Sequence, residues 1–183
     1  MKEIETSKLY YGFPVYILGY KDEDFGYNIT TSSSSYTLGD MLTMGIFNKG
    51  NAAKKIREFK EFTLNLPSES LMYEIEVAGF NSSKDKLKMT NLNWTRAEGV
   101  DAPLLTDCLL SLECHVEQIQ EFDSYLNIIA RITKRWVSEE LLDEKGRLKS
   151  SDLAPIYYMG DGHKRIYRYQ DERSDALGTF IKR

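Results

Sequence analysis

Apolar residues run unbroken through Val15-Tyr16-Ile17-Leu18-Gly19-Tyr20, a stretch of the length and composition of a buried strand. Lys21-Asp22-Glu23-Asp24-Phe25-Gly26 interrupts it with charge and a glycine. The pattern from Tyr27 onward predicts a returning strand, so the two make a hairpin. The apolar stretch Met41 to Phe47 predicts a third strand. Ala52, Ala53, Ile56 and Phe59 then recur at helical spacing with Lys54, Lys55 and Arg57 between them, and Asn51 stands as the expected cap residue. Phe62, Leu64 and Leu66 alternate along a strand from Glu61 to Leu66. Pro67-Ser68 opens a second helix whose apolar face is Leu71, Met72, Ile75 and Ala78.

After a polar middle section, Leu112 to Val116 alternates as a strand. A second strand, Leu126 to Ile132, places Leu126, Ile128, Ala130 and Ile132 on one face. Asp143-Glu144-Lys145-Gly146 is turn-forming, and Gly160-Asp161-Gly162 reads as a turn before a last strand. Tyr157, Tyr158, Tyr167 and Tyr169 read as core or interface packing. Strands dominate, with short helices at the corners. The expected fold is mainly β, a closed or nearly closed antiparallel barrel with appended helices, in one domain over residues 1–183.

Length and composition narrow the function classes. A chain of 183 residues supports one sizeable core, and its 42% hydrophobic and 28% charged residues are those of an ordered globular protein. A net charge of -4 argues against a dedicated nucleic-acid binder. No apolar run approaches the roughly 20 residues needed to span a bilayer, and the N-terminal segment lacks the apolar stretch of a secretory signal. The cytoplasm is the expected compartment, with no membrane partner. Cys108 and Cys114, with His115 and His163, lack the spacing of a zinc site and read as reduced thiols. GxSxG, HExxH and the phosphate-binding GxxxxGK[ST] loop are all absent.

One polar stretch stands out against this background. Thr30 to Ser35 is six hydroxyl side chains in a row, within the returning strand of the core hairpin. The run reads either as a solvent-facing strand or as an ordered, ligand-lining one. Neutral hydroxyls and backbone amides on a strand can hydrogen-bond a flat, polar heteroaromatic ring. Asn48-Lys49-Gly50-Asn51 leads into a helix N-terminus, where free N–H groups favour a phosphate and Lys49 and Lys54 add positive charge. Together they imply a ligand with a ring at one end and a phosphate at the other.

The segments YNITTSSSSYT, IFNKGNAAKKIREFKEFTLNLP, EVAGFNSSKDKL and VDAPLLTDCLLSLECHV occur in that order. With their spacing, the chain from about Phe13 to Tyr169 resembles the flavin reductase-like family, in particular its flavoredoxin-type branch. The resemblance implies an FMN-binding antiparallel split β-barrel, usually a homodimer. It also implies an oxidoreductase that takes electrons from NADH or NADPH, or a flavoredoxin-like carrier exchanging them with a redox protein partner. Asn28 and Thr31 match the family's N-x-x-T. Ser32, Ser33 and Ser34 fall where the isoalloxazine is lined. Asn48, Lys49, Gly50 and Asn51 with Lys54 match the phosphate-holding loop and helix start. Ser83 and Lys86 match a segment approaching the ring from the other side. The chain departs from many members at Ala52, where they carry threonine, and at Phe122-Asp123-Ser124, where they carry Gly-Asp-His. Those departures leave a second expectation open: a split-barrel module that has lost flavin and binds a small ligand or another protein.

Overall fold

The computed structural model describes residues 1–171 and 173–181. Among the described residues, twelve strands and three α-helices follow one another. A seven-stranded antiparallel sheet is built from β2 (Tyr16–Asp22), β3 (Gly26–Ser32), β4 (Ser35–Leu38), β5 (Met41–Phe47), β6 (Glu61–Leu66), β9 (Leu110–Phe122) and β10 (Tyr125–Val137). Its spatial order is β3-β2-β6-β9-β10-β5-β4.

The two edges of that sheet, β3 and β4, are neighbours in sequence, joined by Ser33 and Ser34 alone. Three peptide units reach at most about 11 Å, whereas the edges of a flat seven-stranded sheet would stand about 29 Å apart. The sheet must therefore curl until its edges almost meet, which makes it a split barrel. The joint is tight: Ser34 has φ 71°, a left-handed conformation costly for a residue with a Cβ. Its carbonyl accepts from the Gly45 amide at 3.0 Å, and the Tyr16 hydroxyl donates to the Ser33 carbonyl at 2.9 Å. The hydroxyl run, read as one continuous strand, is thus two strands and a kink.

Why the run from Val15 to Tyr20 is apolar throughout also becomes clear. Tyr16, Leu18 and Tyr20 point into the barrel with Met44, Phe62, Leu112 and Ile128. Val15 and Ile17 point the other way, packing with Ile29, Ile75 and Ala78 beneath α2 (Met72–Phe80). Both faces of β2 are buried, so the period-2 signal vanishes. Gly19 sits where β8 (Pro103–Leu105) crosses this strand: a Cβ there would lie 2.3 Å from the Pro103 carbonyl oxygen. α1 (Asn51–Phe59) closes one end of the barrel through Ala52, Ala53 and Ile56.

A second sheet, β1 (Leu9–Pro14), β11 (Tyr157–Asp161) and β12 (Arg165–Arg168), runs in the order β1-β11-β12. It packs Tyr158 and Tyr167 onto the α2 cluster, and Gly160-Asp161-Gly162 lies where β11 turns into β12. β1 is half exposed, so its pattern is weak in the sequence. The polar middle section holds α3 (Lys86–Met89), β7 (Trp94–Arg96) and β8. β9 and β10 are each 13 residues long, well beyond the apolar cores expected at Leu112 to Val116 and Leu126 to Ile132. Their distal halves are mostly exposed, which removes the hydrophobic signal. The helix expected to open at Pro67-Ser68 begins with a single 3-10 turn, Glu69–Leu71. Cys108 and Cys114 are buried free thiols, and burial pushes each up to about 12.

Candidate functional site

A cleft of about 280 Å3 opens between β3, the start of α1 and the segment from Gly79 to Lys86. Asn28, Thr31, Ser32, Lys49, Gly50, Asn51, Ser83 and Lys86 all line it. Residues from three separate stretches of sequence thus line one cleft. Ser33 lines an adjoining pocket instead. Ser34, Asn48 and Lys54 lie outside the lining, Ser34 at the kink between β3 and β4.

The hydroxyls of β3 divide their hydrogen bonds between the cleft and the fold. Thr31 donates to the Ile75 carbonyl at 2.6 Å and Thr30 to that of Ala78 at 3.4 Å, tying the strand to α2. Close approach is possible because α2 presents Gly79 here, whose added Cβ would meet Thr31 Cβ at 3.4 Å. Each hydroxyl still has acceptor capacity, and the orientation of each is fixed by its donor bond. The Ser32 hydroxyl makes only a 3.3 Å bond to the Ser33 carbonyl.

Asn28 is buried and fully engaged by its own chain. Its Nδ2 donates to Asp22 Oδ2 at 3.2 Å and to the Lys84 carbonyl at 2.9 Å. Its Oδ1 accepts from the amides of Ile29 and Lys86 at 2.9 and 3.1 Å. Asp22, also fully buried, accepts again from Asn51 Nδ2 at 2.7 Å and from the Asp24 amide at 3.1 Å. This Asn28–Asp22–Asn51 chain locks the hydroxyl strand to the first residue of α1 and to the Lys84–Lys86 segment. Asp22 was legible only as turn charge, although it shares the inward face of β2 with Tyr16, Leu18 and Tyr20. Tyr20, legible only as part of a buried strand, also lines the cleft. Its hydroxyl is buried on the cleft wall with no hydrogen-bond partner among the described residues, and burial raises its pKa.

The helix start has the features of an anion site. α1 is preceded by Gly50, no side chain caps it, and its first turn has no acidic residue. The first internal bond runs from the Lys54 amide to the Gly50 carbonyl. The amides of Asn51, Ala52 and Ala53 therefore lack an intrahelical acceptor. Asn51, expected to cap, spends its side chain on Asp22 instead. Lys49 is exposed beside this turn and makes no ion pair among the described residues. Of the neighbouring lysines, Lys54 is exposed, while Lys55 is buried and pairs with Glu23 at 2.9 Å. Asn48 fastens this loop to the β9–β10 turn: its Nδ2 donates to the Asp123 carbonyl at 3.1 Å, and its amide donates to that of Ser124 at 2.9 Å. Its Oδ1 is buried without a partner.

Lys86 faces the cleft from the opposite wall. It is 6% exposed, and its Nζ donates to the Ala78 carbonyl at 3.0 Å, leaving further N–H groups for a ligand. Burial pulls its pKa down to about 8 against the opposing effect of Asp22. Ser83, in a left-handed turn at φ 55°, is exposed at the rim. The cleft thus presents hydroxyls and one buried cation at one end and free helix amides with an exposed cation at the other. A planar polar ring carrying a phosphate fits this donor set, and the orphaned Tyr20 hydroxyl supplies a further unmet polar group. Among the described residues, no Asp, Glu or His side chain lines it.

Comparison with known proteins places this geometry in context. Residues 9–167 match the family described as flavin reductase like domain. The chain is 27% identical over 177 residues to the uncharacterized protein YdfE of Bacillus subtilis (strain 168), covering 86% of this chain and 85% of the relative. Among solved structures it is similar to flavoredoxin of Desulfovibrio vulgaris (Miyazaki F), with a TM-score of 0.87, 21% identity and full coverage of both chains. It is also similar to flavoredoxin from Methanosarcina acetivorans, with a TM-score of 0.87 and 20% identity, covering 100% of this chain and 97% of that one.

Proposed function

The chain belongs to the flavin reductase like domain family, and on that premise we propose that it is an FMN-dependent oxidoreductase reduced by NADH or NADPH. The observation that carries this reading is the cleft itself. Hydroxyl-bearing β3 and Lys86 line one part of it, and the uncapped start of α1 with Lys49 lines another. Thr31, Ser32, Ser83 and Lys86 would hold the ring of FMN; Gly50, the first amides of α1 and Lys49 would hold its phosphate. Ala52 lacks the hydroxyl that many relatives place there, but its backbone N–H remains. Asn28 acts one step back, by fixing Asp22 and Asn51.

Bound FMN would supply the hydride and electron chemistry. The protein's part is to bind, orient and bias. The donor bonds of Thr30 and Thr31 to α2 fix where their lone pairs point. Lys86 would hold a positive charge beside the ring, which favours an anionic form of it. The protein is proposed to act in the cytoplasm as a homodimer, and sedimentation velocity at twice the chain mass would support the dimer.

A second reading has its own observation. The β9–β10 turn is Phe122-Asp123-Ser124, without histidine, and it is bonded to Asn48 at the head of the phosphate loop. That favours an electron carrier whose flavin exchanges electrons with a redox protein rather than with a nicotinamide. Visible spectra before and after anaerobic addition of NADH or NADPH separate the readings. Bleaching of a yellow protein supports the reductase; a yellow protein that stays oxidised supports the carrier. A colourless protein that takes up no FMN contradicts both and leaves a split barrel without flavin.

A further inference from the structure

Next to the flavin cleft lies a second pocket of about 210 Å3, and the two share Thr31, Ser32 and Gly79 as a common wall. The chemistry changes across that wall. Beyond it the walls are Val15, Ile75, Phe80, Tyr158 and Tyr167, and among the described residues no charged side chain lines the pocket. Val15 and Ile75 form its buried floor, 2% and 0% exposed. Tyr158 and Tyr167 stand with ring centroids 6.2 Å apart, and Phe80 is 78% exposed. Its polar groups are hydroxyls. That of Thr31 is committed as a donor to Ile75, whereas the Ser33 side chain makes no hydrogen bond among the described residues. Charge resumes on the outer side of Phe80, Tyr158 and Tyr167, where Glu76, His163 and Arg165 line an adjoining depression that shares those three rings.

An apolar cavity of about 150 Å3 already holds a benzene molecule, so this pocket has room for one ring and a substituent. Aromatic walls favour a planar guest, free hydroxyls favour a neutral polar substituent, and the missing counter-charge penalises an ion. We propose that this pocket is a binding site for a neutral, single-ring compound with one hydrogen-bonding substituent. Its use by the second substrate of a flavin reaction rests on the function proposed above; its capacity to bind such a ring does not.

The probe is 4-methylphenol, titrated into the purified protein with and without added FMN and followed by backbone amide chemical shifts. Saturable shifts centred on Ser33, Gly79, Phe80 and Tyr158 are expected. Phe80→Ala, a change at an exposed position, should weaken binding by about three- to tenfold while FMN affinity stays within about twofold. Benzoate, a similar ring with a charge, should bind about tenfold more weakly or worse. Shifts that map elsewhere, equal binding of benzoate, or an unaltered Phe80→Ala variant would each overturn the site. Absence of FMN binding alone would overturn the flavin reading and leave this one standing.

Discussion

Asn28 and Lys86 show how much single side chains carry. Asn28 makes four hydrogen bonds from a buried position, so Asn28→Leu orphans the Lys84 carbonyl and two amides and takes one donor from buried Asp22. A loss of about 3 kcal/mol is expected, read as a lower urea midpoint at unchanged slope. Lys86 gives a pH signature. Its folded-state pKa, about 8, lies below its ordinary value of 10.5. Between those values the unfolded chain binds the extra proton, so stability rises with pH. The penalty is fully present below about 8 and relieved by 10.5, and Lys86→Met should remove it, gaining about 1–3 kcal/mol at pH 7. Affinity for an anionic flavin should move the opposite way, falling as Lys86 loses its charge, and that slope should flatten in Lys86→Met. Urea melts and flavin titrations from pH 7 to 10 check both. At this scale the sequence marked several residues that line the cleft, but also Ser33, Ser34, Asn48 and Lys54, which do not, and it did not tell what each one bonds. Asn28 was legible as part of N-x-x-T, yet its partners Asp22, Lys84 and Lys86 are brought to it only by tertiary contact.

Elements explain why the cleft has two chemically different ends. β3 supplies hydroxyls that α2 orients through the Ile75 and Ala78 carbonyls; α1 supplies amides because nothing caps it. Lys49 lines the cleft and Lys54 does not. Lys49→Ala should therefore raise the Kd for FMN about fivefold, an exposed charge contributing at most about 1 kcal/mol, and leave riboflavin almost unaffected. Lys54→Ala should change neither much. Fluorescence titrations of both variants with both ligands check this. Gly19 tests the packing that supports β2. A Cβ there meets the Pro103 carbonyl and, at 2.5 Å, Thr63 Oγ1. Gly19→Ala must displace β8, at a cost of about 2–3 kcal/mol, visible as a lower melting temperature. The strands with buried faces and both longer helices were legible from periodicity. β1, β7, β8 and α3 were not, because they are short or half exposed. The β3–β4 kink was hidden for another reason: hydroxyl residues accept strand and turn conformations alike.

For the whole molecule, topology places the site. Two residues join the outermost strands of a seven-stranded sheet, the sheet curls, and its hydroxyl edge comes to lie against α2 beside the open end of α1. Family resemblance read from ordered segments agreed with the fold because that order is what the topology needs; oxidation partner and nucleotide preference leave no comparable trace in the order of strands. The central claim is that this cleft holds a flavin by ring and phosphate together. Equilibrium titration of the flavin-free protein with FMN and with riboflavin, followed by quenching of flavin fluorescence, tests it most directly. Saturable quenching by both is predicted, with FMN bound about tenfold or more tightly through charge-assisted phosphate contacts. Equal affinity for the two would contradict the phosphate site at α1, and no quenching by either would contradict the flavin cleft itself.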